Sequence, residues 1–132
     1  MAVESDFVAT VLDLLSRWGG VSARRMFGGY GIYRQGLMFA LVADDVLYMK
    51  VDDQNRPAFQ EAGMGPFTYD GKSKTVTLPY WEAPSELFDD ADAMIAWAKD
   101  AFAAALRARK PAKSGKPLIA KQKPARRKIT KI

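Results

Sequence analysis

Chemistry in this chain has to be sought among arginines, aromatic rings and carboxylates, because its 132 residues include neither cysteine nor histidine. That removes thiol nucleophiles, zinc-thiolate sites and disulfides, and with them the imidazole that most often moves protons near neutral pH. The side chains that could bind something are concentrated in a few places. Arg24 and Arg25 stand beside Phe27 and Tyr30, and Lys50 closes the same apolar stretch. An arginine next to aromatic rings can take a carboxylate or phosphate, or stack on a ring face. Tyr80 and Trp81 form a second aromatic pair, able to anchor a protein partner or to cap a sheet edge. The candidate partner-binding set is therefore Arg24, Arg25, Phe27, Tyr30, Lys50, Tyr80 and Trp81. The competing reading leaves one arginine in solvent and pairs the other with an acid such as Asp52 or Glu82.

Other motifs point to less. The run Gly28-Gly29-Tyr30-Gly31 has the composition of a phosphate-cradling loop, but such loops lead into a helix whose amides hold the phosphate, and here a strand follows. Gly29-Tyr30-Gly31-Ile32-Tyr33 echoes an RNA-recognition signature, but Ile32 stands where the second aromatic is needed and the βαββαβ order is missing. The pairs Asp44-Asp45 and Asp52-Asp53 lack a third ligand at metal-site spacing and read as turn and cap residues. No catalytic residue, metal site or cofactor is expected.

The elements that must position the binding set can be read from hydrophobic spacing. Ser5 caps a helix over Asp6 to Trp18 with Phe7, Val8, Val11, Leu12, Leu15 and Trp18 on one face, and Gly19-Gly20 end it. Extended segments over 23–27 and 30–34 flank Gly28-Gly29, where a bend or bulge is expected. Gln35-Gly36 and Asp44-Asp45 are hairpin turns into strands over 37–43 and 46–51. Asp52 or Asp53 caps a short helix through Arg56 to Glu61, which Gly63 closes. A second hairpin spans 66–69 and 75–78, with Pro79 to Glu82 breaking its strand. From Pro84 a helical region is interrupted near 88–90. It then continues to about Arg107, with Met94, Ile95, Ala98, Phe102, Ala105 and Leu106 as its apolar stripe. The order, α-β(3-4)-α-β(2)-α, specifies an α+β fold of two layers, an antiparallel sheet packed by helices.

Residues 37–42 are apolar at every position, so strict alternation puts Leu37, Phe39 and Leu41 on one face and Met38, Ala40 and Val42 on the other. Helices cover one face of such a sheet, so the second needs cover as well. A self-associating surface, a ligand groove or a chain segment folded over it would each satisfy that requirement.

Charge divides the chain. Residues 1–108 carry 10 Lys+Arg against 15 Asp+Glu, a net −5, whereas residues 109–132 carry 10 Lys+Arg and no acid, a net +10, and together these give the overall +5. A boundary between a folded domain, 1–108, and a basic tail, 109–132, follows, and Pro111, Gly115, Pro117 and Pro124 support it. Rich in Lys, Ala and Pro, the tail is expected to be disordered when free. Its cations Arg109, Lys110, Lys113, Lys116, Lys121, Lys123, Arg126, Arg127, Lys128 and Lys131 suit non-specific, salt-sensitive contact with DNA phosphates, the alternative being a solubilising tail. The acidic start and the absence of a long apolar run argue for a cytoplasmic protein with no membrane partner.

The run RRMFGGYGIYRQGLMFALVADDVLYMKVDDQNRPAF, with GMGPFTY and TLPYWEAP after it and a terminal helix, resembles the N-terminal domain of the TfoX/Sxy family of bacterial competence regulators over about residues 5–108. The phrases MFGGYGIY, LYMKVD and PYWE are specific in combination. The resemblance implies a two-layer fold of the YjbR-like or secretion-chaperone-like kind, no known catalysis, and transcriptional coactivation with the cyclic-AMP receptor protein. Members of that family carry a second, helical domain at the place that the 24 residues from Arg109 to Ile132 occupy here. Two functional readings follow. In one, a non-enzymatic co-regulator contacts a transcription factor or RNA polymerase through its body and DNA through its tail. In the other, a stand-alone module binds a peptide, a small molecule or its own copy as a homodimer.

Overall fold

In the computed structural model, which describes residues 5–26 and 28–109, the elements run α1 (Asp6–Leu14), β1 (Val21–Met26), β2 (Gly29–Arg34), β3 (Leu37–Ala43) and β4 (Val46–Lys50). They continue with α2 (Arg56–Glu61), β5 (Pro66–Asp70), β6 (Thr75–Glu82), a 3-10 turn (Ser85–Asp89) and α3 (Ala91–Arg109). All six strands join one antiparallel sheet in the order β1-β2-β3-β4-β6-β5. The α+β, two-layer architecture and the element order expected from the sequence are those observed.

The two central hairpins have the local chemistry their sequences advertise. Gln35 and Gly36 take φ of 55° and 77°, and Asp44 and Asp45 take 52° and 60°, so both two-residue turns are left-handed at each position, matching the strands' twist. At the N-terminal end, the Ser5 hydroxyl accepts from the Val8 amide at 3.2 Å and caps α1. The helix stops at Leu14, four residues before the expected end. Ser16 donates its hydroxyl to the Asp13 carbonyl at 2.7 Å, and the Ser16 and Trp18 amides bond three residues back, which tightens the last turn before Gly19 and Gly20 turn the chain at φ 86° and 76°.

α1 and α3 cover one face of the sheet. α3 lies chiefly across β3 and beside β4, and α1 packs on β1 and α3. Val8, Val11 and Leu15 of the α1 segment meet Ile32, Val42, Leu47 and Met49 of the sheet and Met94, Ala98, Ala101, Phe102 and Ala105 of α3 in one core. At its centre Trp18, Phe39 and Phe102 form a triangle of near-perpendicular rings with centroids 5.5, 5.8 and 6.0 Å apart. The Arg34 guanidinium lies 4.5 Å over the Trp18 ring while its Nε donates to the Gly19 carbonyl at 2.8 Å.

Three expectations are corrected. First, strict alternation fails in β3. Ile32 pairs with Ala40 but Tyr33 with Met38, so Phe39 is an extra residue, a β-bulge. Phe39, Ala40 and Val42 consequently all join the helix-side core, while Leu41 turns to the opposite face. Second, β6 does not break at Pro79 but runs to Glu82. Between Thr68↔Thr77 and Pro66↔Trp81, β5 advances two residues and β6 four, so Pro79 sits in an irregularity where its missing amide costs no ladder bond, while its carbonyl accepts from Val51 at 2.9 Å.

Third, neither Asp52 nor Asp53 caps α2. Asn55 occupies that position, and its buried side chain ties the end of β4 together, with Oδ1 accepting from the Asp52 amide and Nδ2 donating to the Lys50 carbonyl. Asp52 instead takes Arg107 of α3 in a bidentate pair at 2.6 and 2.9 Å. α3 starts where Asp90 caps it, its carboxylate accepting from the Ala93 amide, and within the expected stripe Leu106 is 42% exposed.

Candidate functional site

The sheet face away from the helices is where the open chemistry lies, and strand register determines who stands there. Directly opposed residues share a face, so Arg24↔Gly31, Gly31↔Leu41, Leu41↔Tyr48 and Tyr48↔Glu82 define one row across β1, β2, β3, β4 and β6. Beside it stand the pairs Tyr33↔Met38 and Lys50↔Tyr80.

Gly31 is what lets this face assemble. A Cβ there would lie 2.8 Å from the Met38 sulfur, 2.9 Å from the Met26 sulfur and 2.9 Å from Cε1 of Tyr33, so the bare α-carbon is the floor on which three side chains converge. Each cation of the face lies over a ring, Arg24 at 4.5 Å from the Tyr33 centroid and the Lys50 ammonium at 5.2 Å from that of Tyr80. Toward the β5 edge the rings of Tyr48 and Phe67 are 4.8 Å apart and those of Phe67 and Tyr69 6.2 Å, with Tyr69 48% exposed.

Burial, and then the nearby carboxylates of Glu82 and Asp44, push the Tyr48 phenol above its ordinary range; burial, and then Tyr33, do the same for Tyr80. Both phenols therefore stay protonated at neutral pH, each with an O–H able to donate. Among the described residues no group of three or more acids is placed to hold a metal ion, and no helix is long and apolar enough to cross a membrane. The face thus carries rings, two methionines, cations placed over rings and the exposed carboxylate of Glu82.

The structure divides the sequence-derived set. Arg24, Lys50 and Tyr80 stand together on the open face. Tyr30 and Trp81 point the other way, Tyr30 opposite Val42 and Trp81 6.5 Å from the Phe59 ring, both packed against the core. Arg25 is exposed on β1 opposite Tyr30. Phe27 lies outside the described residues, as do Lys110, Lys113, Lys116, Lys121, Lys123, Arg126, Arg127, Lys128 and Lys131; Arg109 is the exposed last residue of α3. The acid Asp52, weighed as a partner for Arg24 or Arg25, belongs to Arg107. Met26, Met38, Tyr48, Phe67 and Tyr69 stayed outside the sequence-derived set, as did Tyr33, which entered only through the RNA-recognition echo, and Glu82, which entered only as a partner for Arg24 or Arg25. The signal was present, since the two hairpin turns fix the register of β2, β3 and β4 and so which residues share a face.

The family model described as the TfoX N-terminal domain matches residues 13–105, from within α1 to near the end of α3. The DNA transformation protein TfoX1 of Aliivibrio fischeri (strain ATCC 700601 / ES114) is 31% identical over 77 residues, 58% of this chain and 36% of that protein. This chain thus spans little more than a third of the relative's length.

Proposed function

The chain belongs to the TfoX N-terminal domain family, and on that premise we propose that it is a non-enzymatic co-regulator in DNA transformation, with a body that binds protein through the open sheet face and a basic segment that holds DNA by charge. The observation that carries this reading is the open face itself, where cations rest over rings and further rings stand beside them. The name of the Aliivibrio relative, a DNA transformation protein, supports the link to DNA. The charge partition supports the division of labour, since the ten cations of residues 109–132 meet no acid within their own segment. A transcription factor or RNA polymerase is the kind of partner such a co-regulator serves.

The test compares the full chain with one lacking residues 110–132 in anisotropy titrations on duplexes of unrelated sequence. The full chain should bind all of them alike, and six engaged cations would cost it about a thousandfold in affinity between 50 and 200 mM salt. The shortened chain should bind at least about tenfold more weakly while its circular dichroism is unchanged. Equal DNA binding by both chains would refute the role of the tail. It would favour the second reading, a stand-alone binding or dimerisation module, which the open face also supports.

A further inference from the structure

We infer that the open sheet face is a two-fold interface with a second copy of this chain, its axis lying along the strands through Leu41. The inference rests on taking that face as the protein-contact surface and names a second copy as its occupant, which leaves the rest of the body's surface to a transcription factor or RNA polymerase.

The argument starts from the row Arg24, Gly31, Leu41, Tyr48, Glu82. It begins with an exposed cation on β1, ends with an exposed carboxylate on β6, and has its midpoint on β3 at Leu41, which is itself buried at 8% exposure, two strands from either end. Among the described residues neither Arg24 nor Glu82 belongs to an ion pair; Arg24 rests on the Tyr33 ring and Glu82 is exposed.

Two copies stacked face to face can be related by a two-fold axis in the plane between them. An axis along the strands reverses the row, so that Arg24 of each copy lies opposite Glu82 of the other, with the position of the buried Leu41 marking the axis. An axis across the strands sets Arg24 on Arg24 and Glu82 on Glu82. Charge therefore selects the first arrangement. Its dimensions are suitable: the row spans four strand spacings, about 19 Å, and stacked sheets stand about 10 Å apart. That gap is about the combined reach of an arginine and a glutamate side chain, and aligned sheets cross at only about 30°.

Other occupants fit less well. Residues 110–132 carry cations and no acid and would meet Arg24 and Lys50 with like charge. A phosphate backbone would meet Glu82, with Asp44 close enough to influence Tyr48. A surface with both signs at mirrored places is complementary to itself.

The experiment uses the full chain in sedimentation velocity over a range of concentrations, with the variants R24E, E82R and R24E/E82R. Wild type should show a monomer–dimer equilibrium, each single reversal should weaken it about tenfold or more, and the double reversal should return it to within a few-fold of wild type. A wild type that stays monomeric overturns the inference, as does a dimer indifferent to both single reversals or a double variant as weak as the singles. Both side chains are exposed, and circular dichroism checks each fold. Should a reversal unfold the chain, the neutral variants R24Q and E82Q replace it and should weaken the dimer in the same direction. DNA titration reads the tail independently, so the failure of either idea is seen separately.

Discussion

The two faces of the sheet are built from different chemistry although they share every strand. The helix-side face is filled, with Ile32, Val42, Leu47 and Met49 meeting the alanines of α3 around the rings of Trp18, Phe39 and Phe102. The open face is assembled from long, polarizable or ringed side chains, Met26, Met38, Tyr33, Tyr48 and Tyr80, and from charges resting on those rings. One face gains stability from close packing between layers. The other keeps its large groups in place by contact with one another, which leaves polar tips available to a partner. The contrast teaches that a sheet covered on one side can still be apolar on both, provided the second side is held by neighbours in the same plane.

The largest effect should come from the filled face. Phe39→Ala opens the ring triangle with Trp18 and Phe102 and should cost about 3–5 kcal/mol in chemical denaturation. A loss below about 1 kcal/mol would show that the helical layer does not rest there, and the contrast would fail.

An intermediate effect belongs to the open face. Gly31→Ala brings a methyl group within 2.9 Å or less of both methionine sulfurs and the Tyr33 ring. Because methionine side chains can move aside, the cost should fall at about 1–3 kcal/mol, and Met38→Ala in the same chain should recover part of it. No change in the melting temperature of the single variant would show that convergence on Gly31 is not required.

The smallest effect lies at the seam between the layers. The Arg107 guanidinium beside Asp52 holds its carboxyl at about 2, below the ordinary 3.8. A depressed carboxylate contributes stability above its unfolded value, and that contribution is lost as pH falls through the folded value. Asp52→Asn should therefore melt slightly below wild type at pH 7, and the gap should close between about pH 4 and pH 2. A gap that persists at pH 2 would assign the pair no role in the acid limb.

Much of the filled face was legible in the sequence, because its determinants are local. Ser5 next to an acidic first turn announces a cap, and Gln35-Gly36 and Asp44-Asp45 announce tight hairpins. What sequence spacing misplaced depends on partners distant in the chain. The bulge at Phe39 is favoured by two rings, Trp18 and Phe102, that come from opposite ends of the domain. Pro79 reads as a strand breaker until the irregular β5 pairing accommodates it. Asp52 reads as a helix cap because Arg107 is 55 residues away. In the candidate site, Arg24, Lys50 and Tyr80 stood out by residue type, whereas Tyr33 and Tyr48 became visible only through cross-strand register.

The clasp between Arg107 and Asp52 also fixes where force enters the molecule. Residues beyond Arg109 are attached to α3, which lies across β3 and β4, and its last turn is fastened to the exit of β4. Tension on α3 from a tethered C-terminal segment would reach β3 and β4, strands inside the sheet, before the borders at β1 and β5, so the sheet would be pulled at its middle instead of being unzipped from a side.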